Sequence, residues 1–204
     1  MIIKYLKIIT IIVILTHFAN SISAQNNSWT LKKNENGIIV HTRENITTGD
    51  IEFKASIIIE TSIDTLLKIF YDVDNYKKWM ADTKVSEILK KINNTEQYIY
   101  FETQTPWPLE NRDVLLHQQF KKNNNSSLIT LTGKSLYIPH KQGITRIEKA
   151  MGSWEFIQLP NNKVKVIYQF MADPGINIPN WVINLFIVDG PLHTLTNLKS
   201  IVEH

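Results

Sequence analysis

Met171-Ala172-Asp173-Pro174-Gly175-Ile176-Asn177-Ile178-Pro179-Asn180-Trp181, continued by an almost unbroken apolar run to Leu198, decides how this chain folds. Pro174-Gly175 is a turn signal, and Pro179 stands where a first helical turn tolerates proline. The stretch therefore predicts a strand ending near Met171 and a helix beginning near Asn177. Trp181, Leu185, Val188, Leu192, Leu195, Leu198 and Val202 recur at spacings of three and four, which is one helical face. Val182, Ile183, Phe186 and Ile187 widen that face until the first half of the helix is apolar nearly all round. A helix of that kind needs apolar material on more than one side. A membrane span is disfavoured because Asn184, Asp189 and His193 fall inside it, and a centred Asp costs about 2.5 to 3.5 kcal/mol. Asp189-Gly190-Pro191 predicts a joint, with Asp189 capping a second half that carries proline in its first turn.

Working outward, the strand before this helix alternates, with Val164, Val166, Tyr168 and Phe170 on one side and Lys163, Lys165 and Gln169 on the other. Its apolar side needs a cover, which the helix that follows is placed to supply. Further strands are expected over 84–91, 97–103, 114–121, 127–132 and 146–159, joined by short polar turns such as Asn93-Asn94 and Asn161-Asn162. Sequential strands of this kind predict an antiparallel meander that curls. Upstream, Asn36-Gly37 reads as a hairpin turn, and Ile51 to Glu60 alternates with Ile58 as its exception. Thr61 or Ser62 starts a helix whose stripe is Ile63, Leu66, Leu67 and Phe70. Asp72 and Asp74 do not form a calcium loop, because glycine and glutamate are missing from the positions such a loop requires.

The amino terminus is basic at Lys4 and Lys7, greasy from Ile8 to Leu15, and ends in Ser21-Ile22-Ser23-Ala24. That is the pattern of a secretory signal peptide over 1–24, so the protein is expected to be exported, periplasmic or extracellular if bacterial. The remainder, 25–204, is long enough for one domain with a substantial core. The chain has 22 basic and 19 acidic residues, and two of the lysines leave with the signal. The near-neutral domain that results, with lysines interspersed among Glu and Asn, lacks the footprint of a nucleic-acid binder. There is no cysteine, which excludes disulfides, thiolate metal sites and a cysteine nucleophile. The sequon Asn45-Ile46-Thr47 reads as a chance match in an Asn-rich chain.

Two groups of residues resemble a known family. Thr105-Pro106-Trp107-Pro108-Leu109-Glu110-Asn111-Arg112-Asp113 is similar to the proline-aromatic loop ending in Arg-Asp that START-type lipid-transfer domains carry before a central strand. Arg146-Ile147, Gly152-Ser153-Trp154, Val166-Ile167-Tyr168, Asp173-Pro174-Gly175 and Ile178-Pro179-Asn180-Trp181 match the bacterial START-like pattern in order and spacing, and Trp29, Gly37 to Val40 and Trp79-Met80 fit its amino-terminal part. Ile176 departs from it, standing where relatives commonly have a second glycine. The resemblance implies an α+β helix-grip fold: a curved antiparallel sheet wrapped around a long carboxy-terminal helix, with an apolar tunnel between them. It also implies a function, the binding and transfer of a sterol, phospholipid or other hydrophobic molecule.

On that basis the expected ligand-binding residues from the sheet and its loops are Phe101, Trp107, Arg146, Trp154, Phe156, Tyr168 and Phe170. From the helix they are Trp181, Leu185, Val188 and Leu192. Each of these taken singly also suits plain core packing. Arg112 and Asp113 are expected to form a structural ion pair at a strand start, while Arg112 or Arg146 is the residue type that holds a lipid carboxylate or phosphate. No catalytic, cofactor or metal site is expected: Gly-x-Ser-x-Gly, phosphate-loop and dinucleotide motifs are missing, and His41, His117, His140, His193 and His204 lack metal-ligand spacing. The same fold hosts cyclases and hydrolases, so an enzyme acting on an apolar substrate is the alternative, with a ligand-free interaction module as a third reading. The expected partners are a hydrophobic small molecule or lipid and, transiently, a membrane, with the protein a monomer that binds no nucleic acid.

Overall fold

The computed structural model describes residues 28–44, 50–173 and 178–203. The expected signal peptide, the sequon and the Pro174-to-Asn177 segment lie outside the described residues. Strands β1 (Thr30–Glu35) and β2 (Ile38–Glu44) form a hairpin at Asn36-Gly37, where both residues have positive φ, 51° and 78°. Asn-Gly is the pair that tolerates such a turn. In β3 (Ile51–Glu60) Phe53, Ala55, Ile57 and Ile59 are buried and Ile58 faces outward, as its alternation predicts.

Helix α1 (Ile63–Tyr71) starts at Ser62, whose hydroxyl accepts the Thr65 amide hydrogen at 3.1 Å, and buries Ile63, Leu66, Leu67 and Phe70. A 3-10 turn (Val73–Lys78) leads to β4 (Thr83–Asn93), β5 (Glu96–Thr103), β6 (Asn111–Lys122) and β7 (Ser126–Gly133). The strand expected over 146–159 is two: β8 (Ile144–Arg146) and β9 (Ala150–Leu159), followed by β10 (Lys163–Ala172). The chain breaks there because β8 pairs parallel with β6, Asp113 opposite Arg146, and the Ile147 amide donates to the Asp113 carbonyl.

One ten-stranded sheet results, in the order β1-β2-β3-β10-β9-β7-β6-β5-β4, with β8 against β6. The meander holds from β4 to β10 but not throughout: β3 pairs with β10, because α1 and the 3-10 turn carry the chain across to the far edge. The terminal helix, 180–203, lies against β2 and β3. Its joint differs from the expected capped break. Helix α2 (Asn180–Asn184) passes through a π-turn (Leu185–Asp189) directly into α3 (Gly190–Glu203), and the Gly190 amide donates to the Leu185 carbonyl. Asp189 caps nothing; it meets Lys33 of β1 at 3.9 Å. Pro191 has no N–H to give, and the wider i→i−5 turn before it carries the chain on without a stop. Among the described residues no helix is long and apolar enough to cross a membrane.

Candidate functional site

Strand periodicity builds the wall of a cavity. Gln97, Ile99, Phe101 and Thr103 of β5 stand directly opposite Gln118, Leu116, Val114 and Arg112 of β6, so all eight share the inner face. Seven of them line the cavity and Gln97 lies just behind, its amide donating to Gln118 at 2.7 Å. Across from this wall, Trp154 stacks on Tyr168 at 3.7 Å, and Phe53 meets Tyr168 edge-on at 4.8 Å. Gly152 leaves room for the Phe170 ring beside them, since a side chain at 152 would overlap that ring.

The helix supplies the roof. Ile183, Phe186, Ile187, Gly190, Pro191 and Thr194 face the cavity, whose volume is about 190 Å³. Val188, Leu192, Leu195 and Leu198 are buried in the core. Two helical faces are therefore apolar, one for the core and one for the hollow, which is what the widened apolar stripe demanded. The roof is tied to the opposite side of the cavity at two points: the Ala81 amide donates to the Thr194 hydroxyl at 3.1 Å, and the Asn197 amide donates to the Trp79 carbonyl at 3.0 Å.

Of the residues expected to bind ligand, Phe101, Trp154, Tyr168 and Phe170 line the cavity, and the others do not. Phe156 is sealed beneath Phe70, ring centroids 5.1 Å apart. Trp107 is 90% exposed, because the loop 104–110 lies beyond the strand ends, where alternation no longer fixes direction. Trp181 is 56% exposed at the start of α2, and Leu185 stays half-buried outside the lining. Val188 and Leu192 belong to the core-facing side. The stripe at Val188 and Leu192 is the core-facing one, and the neighbouring face, with Ile183, Phe186, Ile187, Pro191 and Thr194 at spacings of three and four, turns to the hollow.

The expected Arg112–Asp113 pair is not formed. Neighbours on a strand point to opposite faces, so Asp113 lies on the outer face, where Arg146 meets it at 2.5 and 3.0 Å with both side chains 1% exposed. Arg146 also donates to the carbonyls of Ser135, Ile138 and Pro139, so every N–H of its guanidinium is used. Its bond to Asp113 holds its charge more firmly than in water, against the opposing effect of burial. Arg146 thus ties down the strap 134–143 and does not reach the cavity. Arg112 is the guanidinium that does.

The remaining polar groups of the lining are few. Tyr76 donates to the Phe70 carbonyl at 2.5 Å and receives the Gln118 amide at 3.3 Å. Burial pushes the phenols of Tyr76 and Tyr168 well above their ordinary range, so both stay neutral. Asp82, Thr83, Thr103 and Asp173 complete the polar lining. Gln118 was the signal available beforehand: it interrupts an otherwise apolar inner row at Val114, Leu116 and Phe120. Among the described residues no group of acids and histidines is placed to hold a metal ion.

The sequence profile of the START domain family matches residues 14–202. A solved STAR-related lipid transfer protein from Xanthomonas axonopodis superposes with a TM-score of 0.78 at 32% identity, covering 86% of this chain and 99% of that one. An uncharacterised protein of Pseudomonas aeruginosa is 30% identical over 176 residues, 86% of this chain and 87% of its own. The human phosphatidylcholine transfer protein is 29% identical over 182 residues, 86% of this chain and 84% of its own. A Streptomyces aromatase/cyclase shares the fold with a TM-score of 0.55 at 11% identity, over 76% of this chain and 94% of that one. A curved antiparallel sheet closed by a long carboxy-terminal helix, the inner-face cavity between them and a profile match over nearly the whole length lead to one conclusion: this chain belongs to the START domain family.

Proposed function

We propose that the protein holds a hydrophobic ligand in the cavity beneath its terminal helix and carries it between membranes. The observation that carries this reading is the hollow itself, walled by Phe53, Phe101, Trp154, Tyr168 and Phe170 and roofed by Ile183, Phe186 and Ile187. Each methylene moved from water into such a lining contributes about 0.8 kcal/mol, so an alkyl chain is retained without any special headgroup contact. Relatives that are lipid or phosphatidylcholine transfer proteins support the same reading.

Transfer needs a membrane-facing mouth. Trp107 lies in the loop between the lining residues Thr103 and Arg112, and Trp181 between the lining residues Ile178 and Ile183, so both exposed indoles stand next to the cavity wall. Indoles favour the membrane–water interface, and these two are the proposed contact with lipid. Lys32 and Lys33 on edge strand β1, with Lys84, Lys90 and Lys91 on edge strand β4, discourage edge-to-edge pairing and suit a monomer. Export through 1–24 would place this carrier in the periplasm or outside the cell.

A catalytic role has less to build on. The described lining residues include no His, Lys, Ser or Cys, so the Ser–His and Cys–His pairings of a nucleophile with its base have no members there. The reading is tested by native mass spectrometry of protein purified from its own host, followed by transfer of labelled lipid between vesicle populations. A stoichiometric, chemically unaltered lipid and accelerated transfer are expected. Protein that carries no hydrophobic molecule, or that returns a converted one, overturns it.

A further inference from the structure

Arg112 is the one charged group that β5 and β6 present to the cavity. Its Nη1 donates to the Thr105 hydroxyl at 3.2 Å and to the Glu110 carbonyl at 2.9 Å, which fixes the guanidinium plane. Nε and Nη2 have no hydrogen-bond partner among the described residues. That edge is the one a carboxylate engages side-on with two parallel bonds. No carboxylate among the described residues lies within ion-pair distance of Arg112, and Glu110, the acid whose charge acts on it, turns its own carboxylate to the Thr145 hydroxyl at 2.9 Å. Burial lowers the affinity of Arg112 for its proton, the mark of a cation short of compensation.

The deep end of the cavity offers the opposite environment. Ile99, Leu116, Leu131 and Trp154 surround it, and its polar groups, Tyr76 and Gln118, are neutral and already bonded to each other. A charge placed there would lack a counter-ion, so a ligand enters tail first. At about 190 Å³ the hollow is also smaller than the roughly 300 to 1,000 Å³ of most small-molecule sites, which favours a single chain over two. Asp82 shares the lining, and a dianionic head would meet that negative charge twice over.

We infer that the ligand class is a single-chain monoanionic amphiphile of the fatty-acid type, its tail among Phe101, Trp154 and Tyr168 and its carboxylate on the Nε–Nη2 edge of Arg112. This rests on the cavity being a ligand site, as proposed above, and makes Arg112 the residue that selects the head.

Calorimetric titration of the full mature protein with laurate, dodecanol, dodecyl phosphate and dilauroyl phosphatidylcholine tests it. Laurate is expected to bind about 10- to 100-fold more tightly than dodecanol, the range for charge-assisted hydrogen bonds. Arg112→Gln is expected to bring the two affinities together, chiefly by weakening laurate. Arg112→Lys, which keeps the charge without the planar edge, should keep only part of the preference. Equal binding of laurate and dodecanol by the wild type overturns the head-group assignment but leaves the cavity as a ligand site. The same holds if Arg112→Gln retains the preference, if dodecyl phosphate outcompetes laurate, or if only phosphatidylcholine binds. If none of the four binds to folded protein, the carrier reading falls as well.

Discussion

Two arginines on neighbouring strands show how one sheet separates structure from function. Arg146 sits on the outer face, wholly buried, with a bidentate carboxylate and three carbonyls around it. Arg112 sits on the inner face, held only at Nη1 by neutral oxygens. The first is a closed electrostatic unit, in which the attraction of Asp113 offsets a large desolvation cost. The second keeps unused donors beside an apolar hollow. Proximity to Asp113 in sequence is no guide to pairing, since strand alternation sends Arg112 and Asp113 to opposite sides.

The comparison is broken most directly at the sealed pair. Asp113→Asn or Arg146→Met should cost about 3 to 5 kcal/mol by stranding a buried charge, measured by chemical denaturation. The surviving folded fraction should bind ligand normally; a selective loss of binding would put Arg146 back in the site. Next in size, Gly152→Ala should cost about 1 to 3 kcal/mol. The added methyl would overlap the Phe170 ring and stand 2.7 Å from the Gln169 carbonyl, driving that ring toward the hollow. Lower ligand stoichiometry should accompany the lower melting temperature. Arg112→Gln removes two hydrogen bonds, one to the buried Thr105 hydroxyl and one to the carbonyl of exposed Glu110, and a stability loss of about 1 to 2 kcal/mol is expected, below that of Arg146→Met. Equal losses would erase the contrast between the two faces. Smallest of all, Trp107→Ala and Trp181→Ala should shift stability by no more than about 0.5 kcal/mol, while weakening association with vesicles in flotation assays.

Much of the fold is written in local patterns. The alternation from Ile51 to Glu60, the Asn36-Gly37 hairpin, the Ser62 cap and the apolar faces of the terminal helix appear as read. Phe101, Trp154, Tyr168 and Phe170 were legible as inward-facing because strand period fixes their side once the core face is known. Trp107 and Trp181 were not, since residues beyond an element's end follow the path of the loop or the first helical turn. Gln97, Gln118 and Tyr76 form a buried chain from three separate segments, and no spacing in the sequence announces that they meet.

Sequence alone determined the inventory: which segments alternate, where helices start, and that the last helix must bury more than one face. Those are properties of single elements, set by periods of two and 3.6 and by capping chemistry. The tertiary structure alone decided that β3 joins β10, that Asp113 belongs to Arg146, and that the helical face carrying Ile183 and Phe186 turns to the hollow. Each depends on how distant elements cross, and that is fixed only when the sheet closes around its cover.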